Sequence, residues 1–196
     1  MSAPLPPIAS QSGSSLRDHF LLAMPGLNEG IFAHSITYLC EHGESGAMGI
    51  IINQPLELNV GEIFEHLDIS PRRDFSQELV FAGGPVQIDH GFVLHRAGAA
   101  EWDSSLRVTP DITLSTSRDI LRAIAEDEGP EDYLIALGYA GWSAGQLEEE
   151  LSHNAWLTVP ADSETLFHTP WQQRLSVAAG RLGIDMNLIS AQAGHA

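Results

Sequence analysis

The chain of 196 residues contains no lysine, and nine arginines stand against 26 acidic residues for a net charge of −17. Without an amine side chain there can be no Walker A phosphate loop, no kinase-type ATP lysine and no Schiff-base chemistry. Clustered positive charge is also scarce: only Arg72 and Arg73 are adjacent. A strongly acidic chain of this kind repels a phosphate backbone, so direct nucleic-acid binding is not expected. Cys40 is the only cysteine, which excludes an intramolecular disulfide and a cysteine cage for zinc or an iron–sulfur cluster, and suits a reducing cytoplasm. No apolar run approaches the ~20 residues of a membrane span. Met1–Ser15 lacks both a basic start and an apolar core, and reads as a disordered arm, not a signal peptide. The expectation is a soluble cytoplasmic protein with no membrane partner, no cofactor and no metal.

What is present fits one domain over residues 16–196, long enough to bury roughly 70% of its unfolded surface. Phe20–Met24, Leu79–Ala82, Gly91–His95 and Ala155–Val159 are short apolar runs bounded by turn residues, and read as strands. Ile36–Glu41 and Ala47–Asn53 flank Gly43–Gly46 as a β-hairpin. Leu106–Val108 and Ile112–Leu114 flank a Thr-Pro-Asp turn. Asn59 and Glu62 form a capping box ahead of Val60, Ile63, Phe64 and Leu67, the buried stripe of a helix, with Leu58 and Ile63 as its hydrophobic staple. Thr116 and Asp119 open a second helix with Ile120, Leu121 and Ile124 as its core face. Pro170 opens a last one that Gly183 ends. Hairpins mixed with crossovers predict an α+β domain with a mixed central sheet and helices packed around it.

The densest stretch is Gly138–Leu157. The apolar run Tyr133–Leu137 precedes a Gly-rich segment, Gly138-Tyr-Ala-Gly141-Trp-Ser143, which reads as a turn into a helix capped by Ser143 with Gln146. On that helix Glu148, Glu149 and Glu150 fan out about 100° apart and read as solvated.

Several blocks in the same order carry a resemblance: HFLLAMPG at 19–26, YLCEHGESGAMGIIINQP at 38–55, GGPV at 83–86, DHGFVLH at 89–95, STSRD at 115–119, GYAGWSAGQLEEEL at 138–151, NAWLTVPAD at 154–162 and AGHA at the end. The chain closely resembles the AlgH/YqgE family of bacterial proteins from about Leu16 to Ala196. The resemblance implies a compact α/β fold with a partly barrel-like mixed sheet. It also implies the label of transcriptional regulator, attached to the family through alginate production and not through a DNA-binding motif. It supplies no catalytic set.

The candidate residues are therefore read from chemistry. Cys40 and His42 lie two apart, on one face of a regular strand, the minimal geometry for an imidazole-activated thiol, although a lone cysteine is more often a buried small hydrophobe. Glu150 and His153 have a di-iron-like spacing without the second copy such a site needs. His90 and His95 would face opposite ways and make no metal pair. Gly138, Tyr139, Gly141, Trp142 and Ser143 are the candidate ligand-binding residues, as a helix N-terminus attracts anions. Glycines in a tight strand-to-helix turn are the plainer reading. The leading functional expectation is a non-enzymatic regulatory or adaptor protein that acts on gene expression through a protein or small-molecule partner. The alternative is a hydrolase or transferase for a small anionic metabolite, with the 138–143 turn as anion cradle and His42 or His153 as acid–base group.

Overall fold

In the computed structural model, which describes residues 15–193, the chain opens with strand β1 (His19–Ala23) and a 3-10 turn (Gly30–Phe32), followed by the hairpin β2 (Ile36–Gly43) and β3 (Gly46–Ile51). Next come β4 (Pro55–Asn59), helix α1 (Val60–His66), β5 (Leu79–Ala82), the long β6 (Val86–Arg96), β7 (Ser105–Arg107) and β8 (Ile112–Ser115). Helix α2 (Arg118–Ala125), strand β9 (Tyr133–Ser143), α3 (Gln146–Ser152) and β10 (Trp156–Pro160) follow, and then a π-helical turn (Glu164–His168), α4 (Trp171–Gly180) and α5 (Met186–Ala193). The expected amino-terminal arm lies outside the described residues except for Ser15, whose hydroxyl donates to the carbonyl of His42 at 3.3 Å.

The strand order is β10-β1-β2-β3-β9-β6-β8-β7, with β4 on β5 and β5 on β9. All pairs are antiparallel except β5 with β9. This is the mixed sheet anticipated from the sequence, curled into a half-barrel. Its interior is one apolar cluster drawn from both ends of the chain, including Phe20, Tyr38, Ile50, Phe81, Phe92 and Leu134, and it is closed by Ala178 and Ala179 of α4. Two further clusters lie on the outside. One packs α1 and α2 over β6 and the first half of β9 through Val60, Phe64, Val93, Ile120, Leu121, Ile124 and Ile135. The other packs α3 over β1, β2 and the second half of β9 through Leu21, Leu39, Ala140, Trp142, Leu147 and Trp156.

One strand serves three clusters because its pleat changes phase. In the first half of β9 the even residues Leu134 and Ala136 face the interior and the odd residue Ile135 faces out. Gly138 then takes φ +77°, and beyond it the odd residue Tyr139 faces in while Ala140 and Trp142 face out. A side-chain period of 2 allows such an exchange only where the ladder is interrupted, and the β6–β9 register shifts between Val86 and Gly91 at this point. Gly138 is required twice over. The left-handed region is costly for an L side chain, and a Cβ there would run into the carbonyl oxygen of Gly84.

The second phase change is at Cys40, where the β2–β3 register shifts between Leu39 and Glu41. The even-residue face expected for Ile36–His42 therefore breaks at this bulge. Cys40 joins the interior with Ile36 and Tyr38. His42 instead pairs with Ala47, itself opposite Trp142, on the face covered by α3.

The helix starts follow local chemistry. Asn59 accepts from Glu62 N at 3.0 Å and the Glu62 carboxylate accepts from Asn59 N at 2.9 Å, so the expected capping box is closed. For α2 the N-cap is Ser117, one residue later than the expected Thr116. Asp119 instead accepts from Asp103 N at 2.8 Å and holds the preceding loop.

Candidate functional site

A concavity of about 820 Å³ forms a groove between α1 and α2 on the outer face of the sheet. Its size is that of a ligand or peptide site. Val93 of β6 and Ile135 and Leu137 of β9 form the floor, Ile63 of α1 and Leu67 at its C-cap one wall, and Leu121 of α2 the other. The capping box fixes the start of α1 and so turns Ile63 and Leu67 towards α2. Between Val86 and Gly91, β6 has more residues than its partner strand, and this excess carries Ile88, Asp89 and His90 to the lip of the groove. Ile88 is 63% exposed, an isoleucine set in water beside an apolar floor. Around the rim stand Glu62, Glu65 and Asp89, with His66, His90 and Arg118. The groove has room for an apolar body, with polar groups at its edge that could orient one. It offers no cysteine, and its hydroxyls, Thr116 and Ser117, lie at the start of α2.

The residues singled out from the sequence lie elsewhere and do not converge. Residues 138–143 form no turn: they are the second half of β9, paired with β3 from Ala140 to Ser143 and with β6 at Tyr139. The assigned N-cap of α3 is Gly145, and the side chain of Gln146 reaches back to accept from Ser143 N at 3.0 Å, which closes one half of the expected box. The segment is thus not a helix N-terminus, and the anion cradle loses its geometric basis. Its side chains alternate in direction. Tyr139 stacks edge-on against Phe92 at 5.6 Å. Trp142, only 6% exposed, packs against Trp156 at 6.0 Å and Phe32 at 6.2 Å. Gly141 and Ser143 are exposed. Gly141 is not among the positive-φ residues, so the strained glycine of this stretch is Gly138.

Cys40 is fully buried, and burial, followed by the neighbouring Glu41 carboxylate, pushes its thiol well above the usual range. His42 is occupied at both ring nitrogens. Nδ1 accepts from Leu16 N at 2.8 Å, so Nε2 carries the proton and donates to Glu148 Oε1 at 2.6 Å. This arrangement ties the incoming chain to α3 and leaves no ring nitrogen open to a substrate. His153 is at the far end of α3, against the carbonyl of Glu149 at 2.8 Å. Glu150, expected to be solvated, is turned towards the indoles of Trp142 and Trp156, and desolvation raises its carboxyl above the ordinary range. Its Oε2 and the Trp156 Nε1 are buried without a bond of normal geometry. His95 is buried and bonded to Ser115 Oγ at 2.8 Å, whereas His90 is at the groove lip. Among the described residues no group of three or more His, Cys, Asp or Glu could hold a metal ion.

Sequence reasoning missed the groove because its lining comes from positions as far apart as 63, 88, 121 and 137, with no shared motif. One signal was available: Ile88, a lone apolar residue between Gln87 and Asp89.

A curled half-barrel with helices packed around it and an open apolar groove between two outer helices defines a compact α+β domain. The chain belongs to the AlgH-like family, whose model matches residues 20–187. A UPF0301 protein from Saccharophagus degradans is 54% identical over 190 residues, 97% of this chain and 93% of that one. A UPF0301 protein from Pseudomonas aeruginosa is 52% identical over 94% of this chain and 98% of its own. The solution structure of the AlgH protein from Pseudomonas aeruginosa is 49% identical, with a TM-score of 0.77 and full coverage of both chains. The crystal structure of protein DIP2367 from Corynebacterium diphtheriae shares the fold at 16% identity, with a TM-score of 0.70 over 97% of this chain and 94% of that one. Among the described residues no helix is long and apolar enough to cross a membrane.

Proposed function

We propose that this protein is a cytoplasmic regulatory adaptor, which influences gene expression by binding a partner in the α1/α2 groove and not by gripping DNA. The observation that carries the proposal is the exposed Ile88 over an apolar floor. Fully burying an isoleucine is worth roughly 1.5–3 kcal/mol, so a partner that covers the exposed part gains about 1–2 kcal/mol from this side chain alone. The 26 acidic residues and the lack of lysine support an indirect route to transcription.

The test is an Ile88→Glu variant in the native host. It is expected to fold with an unchanged unfolding midpoint, since the side chain is already in water, yet to fail in restoring the transcript profile of a deletion strain. Full complementation by a folded Ile88→Glu protein would remove the groove from the function. A gel-shift titration is expected to show no competitor-resistant DNA complex near physiological salt. Tight, sequence-specific binding would overturn the indirect route.

A further inference from the structure

Arg174 of α4 is only 7% exposed, and among the described residues it is the only Arg, Asp or Glu that is buried. Its Nε donates to the carbonyl of Thr169 at 3.1 Å and its Nη1 to the carbonyl of Ile52, while the guanidinium carbon lies 5.2 Å from the centre of the Phe81 ring. A guanidinium has five N–H donors, and these two bonds leave most of them unused. None of the ion pairs among the described residues involves Arg174. Desolvation, with no neighbouring carboxylate to oppose it, pushes its pKa down to about 10. A buried charge is normally paired, because leaving it alone costs several kcal/mol. The arginines that do form ion pairs among the described residues, Arg72, Arg73, Arg96 and Arg181, are nearer the surface.

Arg174 also lines a cavity of about 410 Å³ between β5, the start of β9 and the segment that leads into α4. Phe81, Phe167 and Trp171 give this cavity aromatic walls. Its one carboxylate, Glu78, is already held by Arg73 at 2.7 Å and by the Tyr133 hydroxyl. His168 at the edge is bonded to Asp132 and Glu164. The cavity therefore combines an unneutralised, largely desolvated cation with flat apolar surface.

We propose that this cavity is an oxyanion-binding site, in which the Arg174 guanidinium takes the carboxylate or phosphate group of a small molecule whose body rests on Phe81 and Trp171. Arginine suits this role because its planar fork matches either group with two parallel hydrogen bonds. The site is separate from the α1/α2 groove and stands whether or not that groove binds a partner.

The experiment is an NMR titration of the full chain with sodium phosphate and, separately, sodium acetate, at constant ionic strength against sodium chloride. Saturable amide shifts confined to residues 52, 79–82, 133–135 and 167–175 are expected with at least one anion, together with slowed exchange of the Arg174 side-chain N–H signals. Phosphate alone would point to a phosphorylated ligand and acetate alone to a carboxylic acid. Arg174→Lys keeps the charge but loses the fork, and should bind at least about tenfold more weakly. Binding of neither anion, shifts scattered over the surface, or equal affinity in a folded Arg174→Lys protein would overturn the proposal. If that variant does not fold, the wild-type shift map and the Arg174 exchange rates decide alone.

Discussion

Replacing Gly138 by alanine should be among the most damaging single-methyl additions available in this protein, and Gly141→Ala, three residues along the same strand, should be nearly silent. At φ +77° an alanine at 138 occupies the left-handed region, a penalty of about 1–2 kcal/mol. The new methyl also meets backbone and not a yielding side chain. Besides the Gly84 carbonyl, the oxygen of Val86 would be 3.1 Å away and the Cα of Ile88 3.3 Å. Overpacking of this kind costs about 1–3 kcal/mol. Alanine restricts the unfolded chain and returns about 0.4–1 kcal/mol, so the net loss is about 2–4 kcal/mol. For a domain of this size that lowers the melting temperature by about 5–15 °C. At Gly141 the nearest atom to a new Cβ is Tyr139 Cε2 at 3.3 Å, the edge of a ring in the same strand, and the backbone is not left-handed. The expected change there is within about 0.5 kcal/mol. Urea unfolding followed by tryptophan fluorescence reads both variants, since Trp142 and Trp156 sit in the cluster beyond the bulge. Equal stability losses at the two glycines would show that the phase change at 138 is not what holds β9.

Trp142→Ala should cost about 3–5 kcal/mol, as for other buried aromatic truncations, and a fully stable variant in urea would place the indole at the surface instead. Cys40 should react with a thiol reagent only as fast as the protein opens, with labelling accelerated by denaturant; rapid native labelling would contradict its burial. The His168–Asp132 contact predicts a pH window. Asp132, followed by Glu164, holds the His168 imidazole above its ordinary 6.5. For Asp132 burial opposes ionisation, but bonds from His168 and Arg96 outweigh it and hold the carboxyl below 3.8. The imidazole's contribution is complete below 6.5 and fades as pH rises through its raised value. The carboxylate's is complete above 3.8 and fades as pH falls through its lowered one. Both are therefore full only between those two values. Proton NMR should show His168 titrating late and Asp132→Asn bringing its midpoint down; an ordinary midpoint in the wild type would mean the contact does not form in solution.

Local chemistry was legible wherever one short segment carried its own instructions. The Asn59–Glu62 box, the Gly43–Gly46 hairpin and the core face of Ile120, Leu121 and Ile124 all formed where their side chains indicated. Errors arose where a residue's meaning depended on a partner far along the chain. Gly138 looks like a turn residue when Tyr133–Leu137 is read alone. Opposite Gly83 and Gly84 it is instead a bulge that lets two backbones close on each other, and an isolated glycine in a strand pattern was the available hint. The same bulge logic at Cys40 separated it from His42, which simple alternation had placed together. Nothing near Arg174 in sequence reveals that Ile52 and Phe81 will enclose it. The groove was hidden for the same reason, being assembled from elements that only the folded sheet brings together.

The three-way pairing of β9 also bears on how the chain is made. During synthesis β3, β5 and β6 leave the ribosome first, and each has an edge that only β9 will cover. Until residue 143 has emerged, these edges carry unpaired amide and carbonyl groups, the kind of template on which nascent chains associate wrongly. A ribosome-bound chain halted before Tyr133 should therefore be open to proteolysis and to chaperone capture. One extended by the eleven residues of β9, once they clear the exit tunnel, gains the strand that joins the front and back of the sheet. Productive folding of this protein is thereby timed to a late event in its own translation.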